Sequence, residues 1–204
     1  MITLVDYGLG NIRAFLNVYK RLGIPVRTAR TSIELEGANR VIVPGVGAFD
    51  HAMDLLDASG MRSTLDTLVL EERIPVLGVC VGMQILANRS EEGVRAGLGW
   101  IPGSVRRFVH SSSEQINPLP HMGWNDVQPD PANPLFAGLE VGSRFYFLHS
   151  FYLACDRETD TAAVATYGPS FCCAVSAGNV HGVQFHPEKS HNWGMRLLKN
   201  FADL

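Results

Sequence analysis

The chain has 204 residues, of which 46% are hydrophobic, and it carries a formal net charge of -3 at pH 7. This length and apolar content suit one domain over residues 1–204 with a sizeable core. The charge balance excludes a strongly basic surface for nucleic acid or acidic lipid, and no apolar run reaches the roughly 18 residues that a membrane-spanning helix needs.

The cysteines and the N-terminus indicate a reducing, cytoplasmic compartment. The four cysteines form no Cys-x-x-Cys pair, and two of them, Cys172 and Cys173, are adjacent in an apolar run. This spacing is typical of free thiols and not of a disulfide framework. The first residues lack the basic segment and small-residue cleavage site of a secretory signal, so we expect them to begin the fold as a strand.

The first ninety residues predict strands that alternate with helices. The predicted strands are Ile2–Val5, Val26–Ala29 and Val41–Val43, and the predicted helices cover residues 12–22, 48–56 and 61–72. Because such alternation is typical of parallel sheets with crossover helices, we expect an α/β fold with flanking helices. Ligands of these sheets bind beyond the carboxyl ends of the strands, where Asp6 and the glycine-rich loop Gly45–Gly47 are expected to lie.

Residues 75–84 are the most informative stretch of the first half. An apolar run ends at Cys80, glycines stand two positions before and after it, and helical sequence follows over Met83–Arg89. A buried strand that turns sharply into a helix presents the central side chain at the top of the sheet, and a helix N-terminus favours a thiolate there. The alternative for this stretch alone is a tight turn around a buried thiol.

The second half of the chain predicts short strands separated by turns rich in Pro, Gly, Asn and Asp. These strands are predicted at Val105–Phe108, Gly123–Val127, Arg144–Leu148, Ala162–Thr166, Cys172–Val175 and Val180–Phe185, before a final helix near Trp193–Phe201. The polar segment Ser111–Gln115 is predicted to be a mobile loop. We therefore expect extra antiparallel strands beside the parallel sheet.

A second informative stretch covers residues 183–190, where a predicted strand ends at His186 and Pro187 separates it from Glu188. A thiol nucleophile needs a base to take its proton, and the base needs a third group to hold its ring. Cys80, His186 and Glu188 are suitable residue types for these three roles. The alternative for the His-Pro-Glu segment alone is an ordinary surface turn.

The two stretches together resemble the class I, triad-type glutamine amidotransferases, through Gly78–Gln84 and His186–Glu188. Four further segments narrow the resemblance to the glutaminase subunits of imidazole glycerol phosphate synthases, namely Asp6–Asn11, Pro44–Phe49, Pro120–Asn125 and Tyr146–Phe151. The resemblance covers nearly the whole chain. It implies a flavodoxin-like fold with a mostly parallel central sheet, flanking helices and extra antiparallel strands in the C-terminal half.

The resemblance also implies a chemistry, in which glutamine is split to glutamate and ammonia through a cysteinyl thioester. Cys80 is the implied nucleophile, His186 the proton carrier and Glu188 the group that orients His186. The implied oxyanion donors are Val46, Gly47 and Val81. A peptide of the glycine-rich loop Gly45–Gly47 is expected to reorient easily because residues 45 and 47 are glycines. The implied glutamine-binding residues are Gln84, Ser150 and Phe151, the last standing where tyrosine is usual in the family.

A partner is implied as well, because ammonia released into neutral water becomes ammonium and stops being a nucleophile. The implied partner is a cyclase subunit with a (β/α)₈ barrel fold, which forms a heterodimer with the chain and makes imidazole glycerol phosphate and AICAR in histidine biosynthesis. The expected interface residues are Asn11, Met122, Trp124, His149 and Lys189. The alternatives are an oxyanion-side or purely structural position for His149 and a half-buried core position for Trp124. No cofactor is expected, and no metal, because the histidines and cysteines lack the spacing of metal ligands.

Three alternatives stay open. A paralogous glutaminase that feeds ammonia to a sugar-modifying amidotransferase would share these motifs, and the neighbouring genes would separate the two. A stand-alone cysteine hydrolase acting on peptides or γ-glutamyl conjugates is disfavoured by the segments 44–49 and 121–125. A binding-only pseudoenzyme is disfavoured by the complete set of cysteine, histidine and glutamate.

Overall fold

Strands and helices alternate along the first half of the chain, and strands dominate the second half. The computed structural model describes residues 1–109, 118–139 and 142–204, so the predicted mobile loop Ser111–Gln115 lies outside the described residues. Within those ranges the α-helices are α1 (Ile12–Leu22), α2 (Ser32–Leu35), α3 (Phe49–Ala58), α4 (Arg62–Asp66), α5 (Val81–Gln84) and α6 (His191–Asp203), and a π-helical segment, Thr67–Glu71, continues α4. The strands there are β1 (Ile2–Val5), β2 (Val26–Ala29), β3 (Val41–Gly45), β4 (Val76–Cys80), β5 (Arg89–Ser90), β6 (Gly103–Arg107), β7 (His121–Pro129), β8 (Ser143–His149), β9 (Phe151–Cys155), β10 (Thr161–Thr166), β11 (Ser170–Ala177) and β12 (Val180–Val183).

In the described part of the chain, nine strands form one mixed sheet in the order β2-β1-β3-β4-β12-β11-β10-β7-β8. The strands from β2 to β12 in this order are parallel, and those from β12 to β8 are antiparallel. The described strands β5, β6 and β9 form a smaller second sheet. This topology confirms the predicted α/β fold, with antiparallel strands added by the C-terminal half.

The neighbours β4 and β12 bring the two informative stretches of the sequence together. They pair in parallel, with Val79 opposite Val183, so both strands end at the same edge of the sheet. Every residue of these two strands is buried, as expected for the centre of a parallel sheet that is covered on both faces. Cys80 and the residues that follow β12 therefore emerge side by side.

Helix α1 shows how local sequence determines an element that covers the sheet. The side chain of Asn11 accepts a hydrogen bond from the Ala14 amide at its N-terminus, and Gly23 ends it in the left-handed conformation at φ +69°. Its buried face includes Phe15 and Tyr19, and the Tyr19 hydroxyl donates to the carbonyl of Leu198 in α6 at 3.1 Å. Both boundaries agree with the prediction from apolar spacing.

The helix predicted after Cys80 is shorter than its sequence suggests. It was expected over Met83–Arg89, but α5 ends at Gln84. The carbonyls of the next three residues accept hydrogen bonds from a later segment: Leu98 donates to Ile85, Ile101 to Leu86 and Gly99 to Ala87, at 2.8–3.1 Å. These long-range bonds replace the bonds that would have continued the helix. Among the described residues, no helix is long and apolar enough to cross a membrane.

Candidate active site

Cys80 lies in a sharp corner between β4 and α5, with φ at +56°. This conformation is rare for a residue with a side chain and is typical of functional sites. The corner is built by close backbone contacts, because a Cβ atom at Gly78 would lie 2.5 Å from the Gly82 carbonyl oxygen, and one at Gly82 would lie 1.9 Å from the Val43 carbonyl oxygen. The two glycines that flank Cys80 are therefore required by packing.

His186 follows β12 at the same edge of the sheet and interacts with both of its expected partners. Its Nδ1 lies 2.9 Å from Oε1 of Glu188, and both side chains are buried. Burial lowers the pKa of His186, but its interactions with Cys80 and Glu188 outweigh that effect and raise the pKa to about 9. The site therefore favours the charged form of the imidazole, which is the form that a proton carrier passes through.

The second carboxylate oxygen of Glu188, Oε2, is buried and has no hydrogen-bond partner among the described residues. The Glu188 side chain thus accepts a single hydrogen bond, from Nδ1 of His186, inside the protein. The Cys80 sulfur also contacts two groups besides His186. It lies 3.9 Å from the Leu148 carbonyl oxygen and 3.8 Å from the amide nitrogen of Gln184.

Cys80 opens into a cleft of about 290 Å³, a volume at the lower end of small-molecule sites. The lining of this cleft includes most of the residues proposed from the sequence for catalysis, oxyanion binding and substrate binding, namely Val46, Gly47, Cys80, Val81, Gln84, Ser150, Phe151 and His186. Glu188 lies behind His186. Within the described ranges, no group of three or more His, Cys, Asp or Glu residues could hold a metal ion.

The residues proposed for the partner interface divide into two groups. Met122 and Trp124 are 64% and 39% exposed, and Asn11 and Lys189 are exposed as well. Lys189 also lines the cleft. His149 differs, because its ring is buried and bonded internally, so direct contact of this side chain with another protein would need a rearrangement.

The sequence profile described as glutamine amidotransferase class-I matches residues 3–204. The chain belongs to this family. It is 59% identical to imidazole glycerol phosphate synthase subunit HisH of Bdellovibrio bacteriovorus and 50% identical to the same subunit of Leptospira interrogans, each over 204 residues and 100% of both chains. A solved structure described as glutamine amidotransferase has a TM-score of 0.73 at 22% identity, covering 99% of this chain and 97% of that one, which shows a shared fold.

Glu92 is a cleft residue of this amidotransferase that the sequence analysis did not predict. It lines the cleft, and its Oε2 accepts a hydrogen bond from the backbone amide of Phe49 at 2.8 Å. A carboxylate in the lining of such a cleft is suited to the ammonium group of an amino acid. No local pattern marks Glu92, because its segment is held by contacts with distant residues, in which the Glu91 amide donates to the Val105 carbonyl and the Phe49 amide donates to Glu92.

The glycine-rich loop of the amidotransferase differs from the expectation at one of its two glycines. Gly47 has φ at +98°, and a Cβ atom there would meet no atom within 4 Å, so this peptide has both the space and the backbone conformation of a movable turn. Gly45 belongs to β3, and a Cβ atom there would lie 2.5 Å from the Gly82 nitrogen. Gly45 thus allows the close approach of β3 to the corner, and conformational freedom is confined to the Gly47 side.

Proposed function

We propose that this chain is the glutaminase subunit of an imidazole glycerol phosphate synthase and that it serves histidine biosynthesis. The observation that carries the proposal is the 59% identity with a HisH subunit along the full length of both chains. The contact of Cys80 with His186, and of His186 with Glu188, supports the glutaminase chemistry. We also propose that residues 1–204 act as one cytoplasmic domain, since the four cysteines are free thiols.

The reaction begins when the Cys80 sulfur, whose proton already lies on the charged form of His186 that the site favours, attacks the side-chain amide carbon of glutamine. The oxyanion that forms is stabilised by backbone donors of Val46, Gly47 and Val81. His186 returns the proton to the leaving nitrogen, ammonia departs, and a thioester remains on Cys80. His186 then takes a proton from water, the resulting hydroxide attacks the thioester, and glutamate leaves as the thiol is restored.

The ammonia passes to a partner, which we propose is a cyclase subunit with a (β/α)₈ barrel that forms a heterodimer with this chain. The cyclase uses ammonia to make imidazole glycerol phosphate and AICAR, so neither nucleic acid nor membrane takes part. The outer face of β7 supports a docking role, because Met122 and Trp124 are large apolar side chains left exposed there. Aromatic and methionine side chains are enriched at interface cores.

Mixing the purified chain with the cyclase subunit tests the proposal. We expect glutamine hydrolysis to rise when the cyclase is added and to rise further with the cyclase's own ligand, whereas a sugar-modifying synthase should give no stimulation. A reversed preference would favour the paralogous role. Rapid partner-free hydrolysis of γ-glutamyl conjugates would favour a stand-alone hydrolase.

The Gly47→Val substitution tests the oxyanion loop. A β-branched residue opposes the positive φ of Gly47 and the reorientation of its peptide, so we expect stimulated turnover to fall by roughly 10²-fold while the fold persists. Gly60→Val is the matched control, because Gly60 also has a positive φ and open space but lies at the end of α3. Unchanged stimulation in Gly47→Val would contradict the role of this loop.

A further inference from the structure

Two of the buried histidines, His121 on β7 and His149 on β8, form a hydrogen-bonded chain that runs from β7 to His149 in the lining of the cleft. His149 Nδ1 lies 2.8 Å from the Phe151 carbonyl oxygen. A carbonyl can only accept, so Nδ1 carries the proton and Nε2 of the neutral ring must accept. His121 Nδ1 lies 2.9 Å from that Nε2 and donates to it.

The Asn125 end of this hydrogen-bonded chain shows independently that His121 donates to His149. The Asn125 side-chain nitrogen donates to the Thr166 carbonyl oxygen at 2.9 Å, which determines the orientation of its amide. The same nitrogen lies 3.3 Å from His121 Nε2, which therefore accepts. Both rings are thus neutral and protonated at Nδ1. Burial agrees with this state, since it lowers the pKa of His149 to about 3 and that of His121 to about 4.

The plane of the His121 ring is fixed by packing. The ring stacks on Tyr167 with centroids 4.0 Å apart and on Phe147 with centroids 4.7 Å apart, each at an interplanar angle of 21°. A ring held in this plane can be reversed only by a 180° flip, which would turn a carbon towards His149 and lose the hydrogen bonds to His149 and Asn125. Stacking thus fixes the plane of the ring, and the two hydrogen bonds fix which edge faces His149.

The near end of the chain reaches the nucleophile. The Phe151 carbonyl oxygen also accepts a hydrogen bond from the Gln84 side chain at 3.1 Å, and Gln84 donates to the Gln184 side-chain oxygen at 3.0 Å. The amide nitrogen of Gln184 is the group that lies 3.8 Å from the Cys80 sulfur. Two donors, from His149 and Gln84, thus hold the Phe151 carbonyl at the wall of the cleft.

We propose that His121 is a positioning residue for glutamine hydrolysis, which acts through His149 to hold the Phe151 backbone and Gln84 in the geometry that binds glutamine. Without the N–H of His121, the buried Nε2 of His149 accepts no hydrogen bond. An unpaired buried nitrogen is costly in free energy, so a rotation of the ring away from the Phe151 carbonyl becomes favourable. The wall of the cleft then loses one of its two donors. This inference rests on the proposed glutaminase activity.

Two substitutions separate positioning from packing. His121→Phe keeps a ring between Tyr167 and Phe147 but removes the donor, and we expect it to raise the KM for glutamine about tenfold, as the loss of one buried hydrogen bond does. His121→Asn keeps a donor near the position of Nδ1 but loses the stacks, and we expect a KM within about threefold of the wild type, together with a lower melting temperature. His181→Phe is the matched control, because His181 is a buried histidine that bonds Ser176 and takes no part in the hydrogen bonds of His121 and His149.

Glutaminase assays with the cyclase present and nitrogen NMR of labelled histidine provide the readouts. An unchanged KM in His121→Phe, or an equal rise in both variants, overturns the proposal. If His121→Phe does not fold, the NMR decides: two buried rings protonated at Nδ1 support the proposal, and protonation of His149 at Nε2 overturns it. Absence of glutaminase activity in the wild-type complex would instead overturn the proposed function.

Discussion

Cys80→Ala lowers glutamine-dependent turnover by at least about 10³-fold, while the complex with the cyclase still uses added ammonia. The expected loss is this large because the substitution removes the atom that forms the thioester, and neither His186 nor Glu188 can replace it. The fold is expected to survive, since alanine keeps the β-carbon of Cys80 and meets the same backbone strain at φ +56°. Steady-state assays with glutamine and with ammonium salts measure the two activities separately.

Cys173→Ala is the matched control for this prediction. Cys173 is also a buried free thiol, but it lies in β11. We expect it to retain glutamine-dependent turnover, so that loss in Cys80→Ala alone identifies the nucleophile. Loss of ammonia-dependent activity in Cys80→Ala would mean that Cys80 supports the structure of the complex and that its role as nucleophile needs revision.

Gly82→Ala lowers the free energy of unfolding by more than about 4 kcal/mol, which places it among the most damaging point substitutions. Its new Cβ atom would lie 1.9 Å from the Val43 carbonyl oxygen, a distance that no side-chain movement can relieve because the contact is with backbone. Either β3 moves away from the corner or α5 does, and both changes displace Cys80. Urea denaturation followed by circular dichroism measures the loss.

Gly23→Ala separates this clash from backbone strain. Gly23 has φ at +69° and open space within 4 Å of its Cβ position, so the substitution should cost only the roughly 1–2 kcal/mol of a left-handed residue. We expect Gly82→Ala to exceed that value clearly or to prevent folding. Equal losses in the two variants would show that the corner tolerates a side chain and that its close packing is not required.

The sequence predicted those parts of the site whose chemistry is local. Cys80 between two glycines and His186 two residues before Glu188 are both recognisable within a few positions, since each depends on a strand end and a short turn. Local sequence did not predict that β4 and β12 are adjacent strands of the sheet. Antiparallel patterns surround β12 in the sequence, yet it joins the parallel part of the sheet and thereby brings His186 to Cys80.

The parts that the sequence did not predict depend on contacts between distant residues. The early end of α5 results from bonds between residues 85–87 and 98–101. Glu92 is placed at the cleft by other distant contacts, those of Glu91 with Val105 and of Glu92 with Phe49. The bond between His121 and His149 requires the pairing of β7 with β8, in which these two residues are direct partners. Spacing along the chain carries no record of such contacts, so the sequence analysis gave His121 no role of its own and named His149 without linking it to His121.

Strand β7 has one further consequence, which concerns how the binding equilibrium of glutamine is linked to that of the cyclase. Alternation along a strand sends Met122 and Trp124 to its outer face and His121 to its inner face. If docking on the outer face shifts β7 and tightens glutamine binding by some factor, glutamine must tighten docking by the same factor, because binding free energies are reciprocal. At high glutamine concentration a larger fraction of the subunit would then be bound to its cyclase, so assembly would follow the supply of the nitrogen donor.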